Sequence, residues 1–235
     1  MGLDLLGTQN QLVQKIHETG VPTIVVLVGG RPLSVNWIAQ NVQALVQAWE
    51  PGSLGGRALA NILAGKVNPS AKLPISIPRH SGQIQMIYNH KPSQYFHKYI
   101  DGPSTPLYPF GFGLSYTRFA YSSLKLSHTR ISDKDSFTAS IELTNVGDRE
   151  GTEVVQLYIR DIYSSATRPV KELKDFARVT LKPGEKKTVT FTVTPDKLAY
   201  WNRNMQYGVE KGEFEIMIGS SSQDIDLKKV KMEVL

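Results

Sequence analysis

Cysteine is absent from all 235 residues. This excludes disulfides, thiolate metal sites, iron–sulfur clusters and cysteine nucleophiles, but leaves the compartment open, since exported proteins need not use disulfides. No apolar run approaches the roughly 20 residues that span a bilayer, so no membrane insertion is expected. Clustered charge is missing too. The formal net charge is +6, yet residues 1–115 hold 8 Lys and Arg against 4 Asp and Glu, and residues 116–235 hold 19 against 17. An excess spread this thinly reads as a solvated surface, and no nucleic-acid partner is expected. Met1-Gly2-Leu3-Asp4 lacks the charged and apolar regions of a signal peptide, so the reading is either a cytoplasmic protein or a chain that begins inside a larger one.

Ligand motifs are equally sparse. His80, His90 and His97 have neither the i, i+4 spacing nor the convergent carboxylates of a metal site. Gly29-Gly30-Arg31-Pro32 lacks both G-x-G-x-x-G and a phosphate-loop Lys-Ser/Thr, and Pro32 removes one backbone donor. No cofactor and no metal are expected.

What is present falls into two textures. From Thr8 to Pro78 the pattern is α/β: Thr8 is placed to cap a helix with Leu12, Val13 and Ile16 at helical spacing, and Gly20-Val21-Pro22 stops it. Thr23 to Val28 is an unbroken β-branched run of the kind buried on both faces of a parallel sheet. A second apolar stretch, Ala44 to Trp49, halts at Glu50-Pro51-Gly52, and Gly55-Gly56 opens a helix through Leu63. Residues 79–115 show no sustained period and are dense in Pro, Gly, Tyr and His, which reads as an ordered aromatic linker. After Tyr116 short alternating runs (Phe137 to Leu143, Val155 to Ile159, Thr188 to Val193) end in turn residues, the pattern of an immunoglobulin-like or fibronectin-type sandwich. The expected division is 1–78, 79–115 and 116–235.

A series of motifs then carries a resemblance. Gly30-Arg31-Pro32-Leu33, Ala48-Trp49-Glu50-Pro51-Gly52 with Gly55-Gly56, and Asn68-Pro69-Ser70-Ala71-Lys72-Leu73-Pro74-Ile75-Ser76-Ile77-Pro78 resemble, in order and spacing, the α/β sandwich domain of family 3 glycoside hydrolases. Pro106 to Tyr116 resembles that family's passage into its fibronectin III-like domain, where Thr144 to Gly151, Arg168 to Phe176 and Gly212 to Ser222 also match. The likeness is to periplasmic β-glucosidases of Gram-negative bacteria, which implies a periplasmic or secreted enzyme.

The resemblance also implies what this chain does not hold. Retaining glycosidases need two carboxylates about 5–5.5 Å apart. In this family the nucleophilic Asp sits on an N-terminal (β/α)8 barrel. The acid/base Glu precedes a Leu-x-Leu-Pro-x-x-Gln element that Leu3 to Gln9 resembles, with Leu6 in place of Pro. Both catalytic carboxylates are therefore expected upstream of Met1, no catalytic residue is assigned here, and the chain alone is expected to be inactive. Its partners would be that barrel and β-glucosides or oligosaccharides, with self-association through surfaces the barrel would cover.

The remaining candidates have plainer readings. Glu50 reads as turn chemistry rather than a substrate contact, and Asp101-Gly102 as a turn. Tyr88, Tyr95, Phe96, Tyr99, Tyr108, Phe110 and Phe112 read as rings that pack the linker rather than stack on sugars, while Tyr200 and Trp201 read as filling a core or domain interface. The resulting expectation is the C-terminal segment of an exo-acting β-glucosidase, with a β-xylosidase as the nearest alternative. A non-catalytic carbohydrate-binding or structural module is the alternative of a different class.

Overall fold

The computed structural model describes residues 2–83, 85–92 and 102–235. Two compact units emerge: one drawn from Met1–Val67, Ile75–Met86 and Tyr99–Pro109, the other from Asn68–Pro74, Ile87–Lys98 and Phe110–Leu235.

The first unit is α/β. Helix α1 (Gln9–Glu18) stops before Gly20 as its sequence predicts, although the Thr8 side chain makes no capping hydrogen bond. Strand β1 (Ile24–Val28) pairs in parallel with β2 (Ala44–Trp49), in register Ile24↔Ala44 through Leu27↔Gln47. Between them runs α2 (Asn36–Asn41), and α3 (Gly55–Leu63) follows β2. Helix α2 is invisible to pattern reading, because six residues with no side-chain cap carry too little periodicity; Ile38, fully buried, is its anchor.

Leu27, Val35 and Ile38 form the centre of this unit, with Leu5, Val13, Val25, Leu33, Trp37, Val42, Leu45 and Leu107 packed around them. The continuous apolar run of β1 predicts burial on both faces, but only Leu27 is buried, while Ile24 and Val28 are exposed. Burial on both faces needs an element packed on each, and among the described residues of β1 only Leu27 and, in part, Val25 pack into this unit's core. Leu12 and Ile16 of α1 are exposed for the same lack of cover.

The second unit is an all-β sandwich. Its strands are β3 (Phe119–Tyr121), β4 (Lys125–Leu126), β5 (Arg130–Ile131), β6 (Phe137–Asn145), β7 (Gly151–Asp161), β8 (Glu172–Leu181), β9 (Lys186–Val193), β10 (Tyr200–Trp201), β11 (Tyr207–Gly208), β12 (Gly212–Gly219) and β13 (Leu227–Val234), with a short helix α4 (Pro195–Leu198) before β10. One sheet runs β5-β13-β12-β7-β8. In the other, β6 pairs with β9 along its length and with β3 and β4 on its opposite edge.

Period-2 alternation points Phe137, Ala139, Ile141 and Leu143 of β6 at Val155, Leu157 and Ile159 of β7 and at Phe214, Ile216 and Ile218 of β12. Each of these side chains other than Ala139 is worth about 1.5–3 kcal/mol when fully buried. The outer face of the five-stranded sheet is covered as well. Tyr158, Met217 and Leu227 pack there against Tyr88, Phe110 and Leu173, with the Tyr88 and Phe110 rings stacked at 4.2 Å. Tyr88 and Phe110 thus serve as packing residues; Tyr95, Phe96, His97, Tyr99 and Asp101 lie outside the described residues.

Candidate functional site

In open parallel sheets ligands gather beyond the carboxyl ends of the strands, and here those ends are Val28 and Trp49. The pairing shifts register between Leu27 and Val28, so Val28 faces Trp49, and Gly29 N–H donates to the Trp49 carbonyl at 3.0 Å. Trp49 takes the left-handed backbone (φ 53°), rare for a bulky residue. That twist turns the following Glu50 back over β1, where its carboxylate lies against Gly30 so closely that a Cβ there would meet Oε1 at 2.9 Å. Beside it the Arg31 guanidinium donates to the carbonyls of Gly2 and Asp4, at 3.1 and 3.5 Å.

This arrangement can hold a polar ligand but supplies one carboxylate, not two. Besides Glu50, the described acids of the unit are Asp4 and Glu18, and Glu18 is paired with Lys15 at 2.7 Å. His80 Nδ1 accepts from Gly82 N–H, and His90 Nδ1 lies 3.0 Å from the Lys91 carbonyl. Among the described residues no group of three or more His, Asp or Glu is placed to hold a metal ion, and no helix is long and apolar enough to cross a membrane.

The string Asn68 to Pro74, which resembles part of an α/β domain, is built into the sandwich unit. Asn68 Oδ1 accepts from Ser115 Oγ and Tyr116 N–H, and its Nδ2 donates to the Glu150 carbonyl. Ser70 Oγ accepts from Arg178. Lys72 donates to the Gly113 carbonyl at 3.1 Å and forms an ion pair with Glu153 at 2.8 Å. Gly113 is required by close approach, since any Cβ would collide with the Ala71 carbonyl oxygen.

Two carboxyls of the sandwich are pushed up by burial, a property shared by reactive groups and by structural ion-pair networks. Burial raises Glu153, and Lys72 opposes it. Burial also pushes Asp161 up to about 6 against the pull of Arg168, and Asp161 Oδ2 has no hydrogen-bond partner among the described residues. Around Asp161 the contacts are those of a loop clamp. Ser165 donates to Glu210 from both N and Oγ, and Arg168 pairs with Glu172 and lies 4.5 Å over the Tyr200 ring. Arg168, Glu172 and Tyr200 are visible in the sequence, but Asp161, Ser165 and Glu210 are not, because the members are spread from 161 to 210 and share no motif.

The expectation for Tyr200 and Trp201 divides. Tyr200 is buried, but Trp201 is 60% exposed; consecutive strand residues face opposite ways, so only one of the two can turn inward.

Comparison with known proteins accounts for both units. Residues 1–116 match the glycosyl hydrolase family 3 C-terminal domain, and residues 153–222 match the fibronectin type III-like domain. Similar curated proteins include a beta-xylosidase of Formosa agariphila, 47% identical over 99% of this chain and 32% of that protein. A periplasmic beta-glucosidase of Salmonella typhimurium is 44% identical over 92% of this chain and 29% of its own length. Among solved structures, a β-glucosidase from Erythrobacter marinus superposes with a TM-score of 0.95 at 43% identity, covering 100% of this chain and 31% of that one. The β-glucosidase of Listeria innocua in complex with glucose gives 0.93 at 36% identity, over 99% and 34%. The chain spans about a third of the length of these relatives. An α/β unit built on β1 and β2, a fibronectin-type sandwich after it, and matches to both domain models place the chain in glycoside hydrolase family 3, as the C-terminal part of its members.

Proposed function

We propose that this chain is the C-terminal segment of a retaining, exo-acting β-glucosidase-type enzyme that removes terminal β-D-glucosyl residues. The nucleophilic Asp and the acid/base Glu would lie upstream of Met1, on and beside an N-terminal barrel. The observation that carries this reading is similarity along essentially the whole chain to β-glucosidases and a β-xylosidase that are about three times as long. The single carboxylate at the strand ends of the α/β unit agrees with it.

In the complete enzyme the Asp attacks the anomeric carbon while the Glu protonates the departing oxygen; the Glu then takes a proton from water, which releases the sugar with retention. The present chain contributes scaffold: within the sandwich unit, Asn68–Pro74 is held through the Asn68, Ser70 and Lys72 contacts. The domain division 1–78, 79–115 and 116–235 belongs to this reading. So does a periplasmic or secreted location, supported by the name of the Salmonella relative. A β-xyloside is the competing substrate, favoured by the Formosa relative.

Hydrolysis of p-nitrophenyl β-glucoside and β-xyloside tests it, with the chain alone and mixed with a barrel-containing N-terminal fragment. Activity only on mixing is expected, with the glucoside preferred. Turnover that follows the purified chain alone, or none after mixing, would overturn the proposal.

A further inference from the structure

The sandwich unit displays an aromatic pair that its own core does not use. Strands β10 and β11 are two residues each and set Trp201 directly opposite Tyr207. Cross-strand partners share one side of a hairpin, and the two rings stand 5.4 Å apart at 51°. Trp201 keeps 60% of its surface in solvent, Tyr207 53% and Met205, at the tip between them, 75%. Side chains of this size are ordinarily sources of buried area, so a Trp, a Tyr and a Met grouped in water mark a surface meant to be covered.

The tip is also held in place. Asn202 N–H donates to the Gln206 carbonyl and Met205 N–H to the Asn202 carbonyl, while Asn202 Oδ1 accepts from the N–H groups of Asn204 and Gln206. These bonds keep Met205 in the left-handed region (φ 56°), which a non-glycine residue rarely adopts. Strain maintained by a local network preorganises the two rings, and preorganisation lowers the cost of binding.

We infer that the Trp201–Tyr207 face is a binding platform for a neutral β-linked oligosaccharide; the choice of ligand class rests on the glycosidase reading above. An all-equatorial pyranose presents flat faces of axial C–H groups that stack on aromatic rings, with its hydroxyls at the rim. Here the rim carries exposed Arg203, Asn204 and Gln206, whose guanidinium and amides suit hydroxyls. A stable protein interface needs about 800 Å² per partner, whereas two rings and a methionine on a four-residue strand pair match the footprint of one or two sugar rings.

The test is titration of the whole chain with cellotetraose and with xylotetraose, by calorimetry and by the shift of the Trp201 indole N–H in a ¹⁵N-labelled sample. At least one tetraose is expected to bind with a Kd of about 0.1–5 mM, typical of weak small-ligand contacts, and to move that resonance. Trp201→Ala should weaken binding about tenfold and Trp201→Phe, which keeps a ring, no more than about threefold. An indole resonance unmoved by either sugar overturns the proposal, and this readout needs no variant to fold. So does equal affinity in Trp201→Ala, or a dimer in sedimentation that Trp201→Ala abolishes while neither sugar binds; the last result would assign the face to a second copy. Binding is read without turnover. Complementing activity without tetraose binding would therefore remove only the platform, and tetraose binding at Trp201 without complementing activity would remove only the catalytic reading.

Discussion

Lys72 and Glu153 form an ion pair at 2.8 Å, with side chains only 12% and 8% exposed, and it ties the Asn68–Pro74 segment to strand β7 of the sandwich. The two residues stand 81 positions apart in sequence. Burial dominates the behaviour of Glu153, raising its pKa although Lys72 pulls the other way.

Removing the cation should therefore expose the cost of the buried carboxylate. Lys72→Met is expected to destabilise the protein by about 3 kcal/mol at neutral pH, the usual penalty for orphaning a buried charge. The folded-state pKa of Glu153 is raised, so the unfolded chain loses its proton first as pH rises, and stability falls across the interval between the two values. Without Lys72 that interval widens upward. Urea midpoints at pH 4 and pH 8 should show a small deficit at the lower pH and a large one at the higher; a deficit independent of pH would contradict this.

Asn145 is fully buried and saturates its amide: Oδ1 accepts from Thr117 Oγ1 and Gly147 N–H, and Nδ2 donates to the carbonyls of Arg149 and Leu181. Asn145→Leu strands these partners inside the sandwich, and the expected loss is about 3 kcal/mol or more. A thermal scan giving a Tm within two or so degrees of wild type would show that water takes over the amide's role.

Asp161 makes the opposite prediction. With its pKa raised to about 6, its ionised form is disfavoured in the folded state, so between about pH 4 and 6 stability falls as pH rises and then levels off. Asp161→Asn removes the charge. It should stabilise the protein above pH 6 by on the order of 1 kcal/mol, discounted for partial solvent screening, and leave it unchanged near pH 4. Chemical denaturation at pH 4 and pH 7.5 measures the difference; a loss at pH 7.5 would mean that the attraction of the nearby Arg168 charge outweighs desolvation.

The α/β unit leaves Leu12, Ile16, Ile24 and Val28 exposed. Apolar surface and an unpaired strand edge favour association, so the chain alone is expected to self-associate in sedimentation velocity as concentration rises. Val28→Lys, at the end of β1, should reduce that association, and a monodisperse monomer at all concentrations would refute the expectation.

Much of this architecture is legible in the residues. The alternation in Phe137 to Leu143 and in Thr188 to Val193 is the inward-facing pattern of β6 and β9, and the β-branched run Thr23 to Val28 is a parallel strand. Strand β8 is less legible because its first four residues are all half-buried and burial alternates only from Phe176 onward, and β13 because four of its eight residues are charged. The candidate site was less legible still. Glu50 was visible as a residue after a strand, but its placement over Gly30 depends on the left-handed backbone of Trp49, which no local pattern announces.

Sequence alone determined the family and the order of an α/β segment before a β-sandwich, because these are carried by residue type, period and spacing along the chain. Tertiary structure decided which side chains meet: that Lys72 reaches Glu153, that Tyr88 and Phe110 cover the outer face of the larger sheet, and that Tyr200 turns inward while Trp201 faces water. Such facts depend on contacts between residues tens of positions apart. The energies that settle them, desolvation and packing, are properties of the folded surroundings and not of any local string.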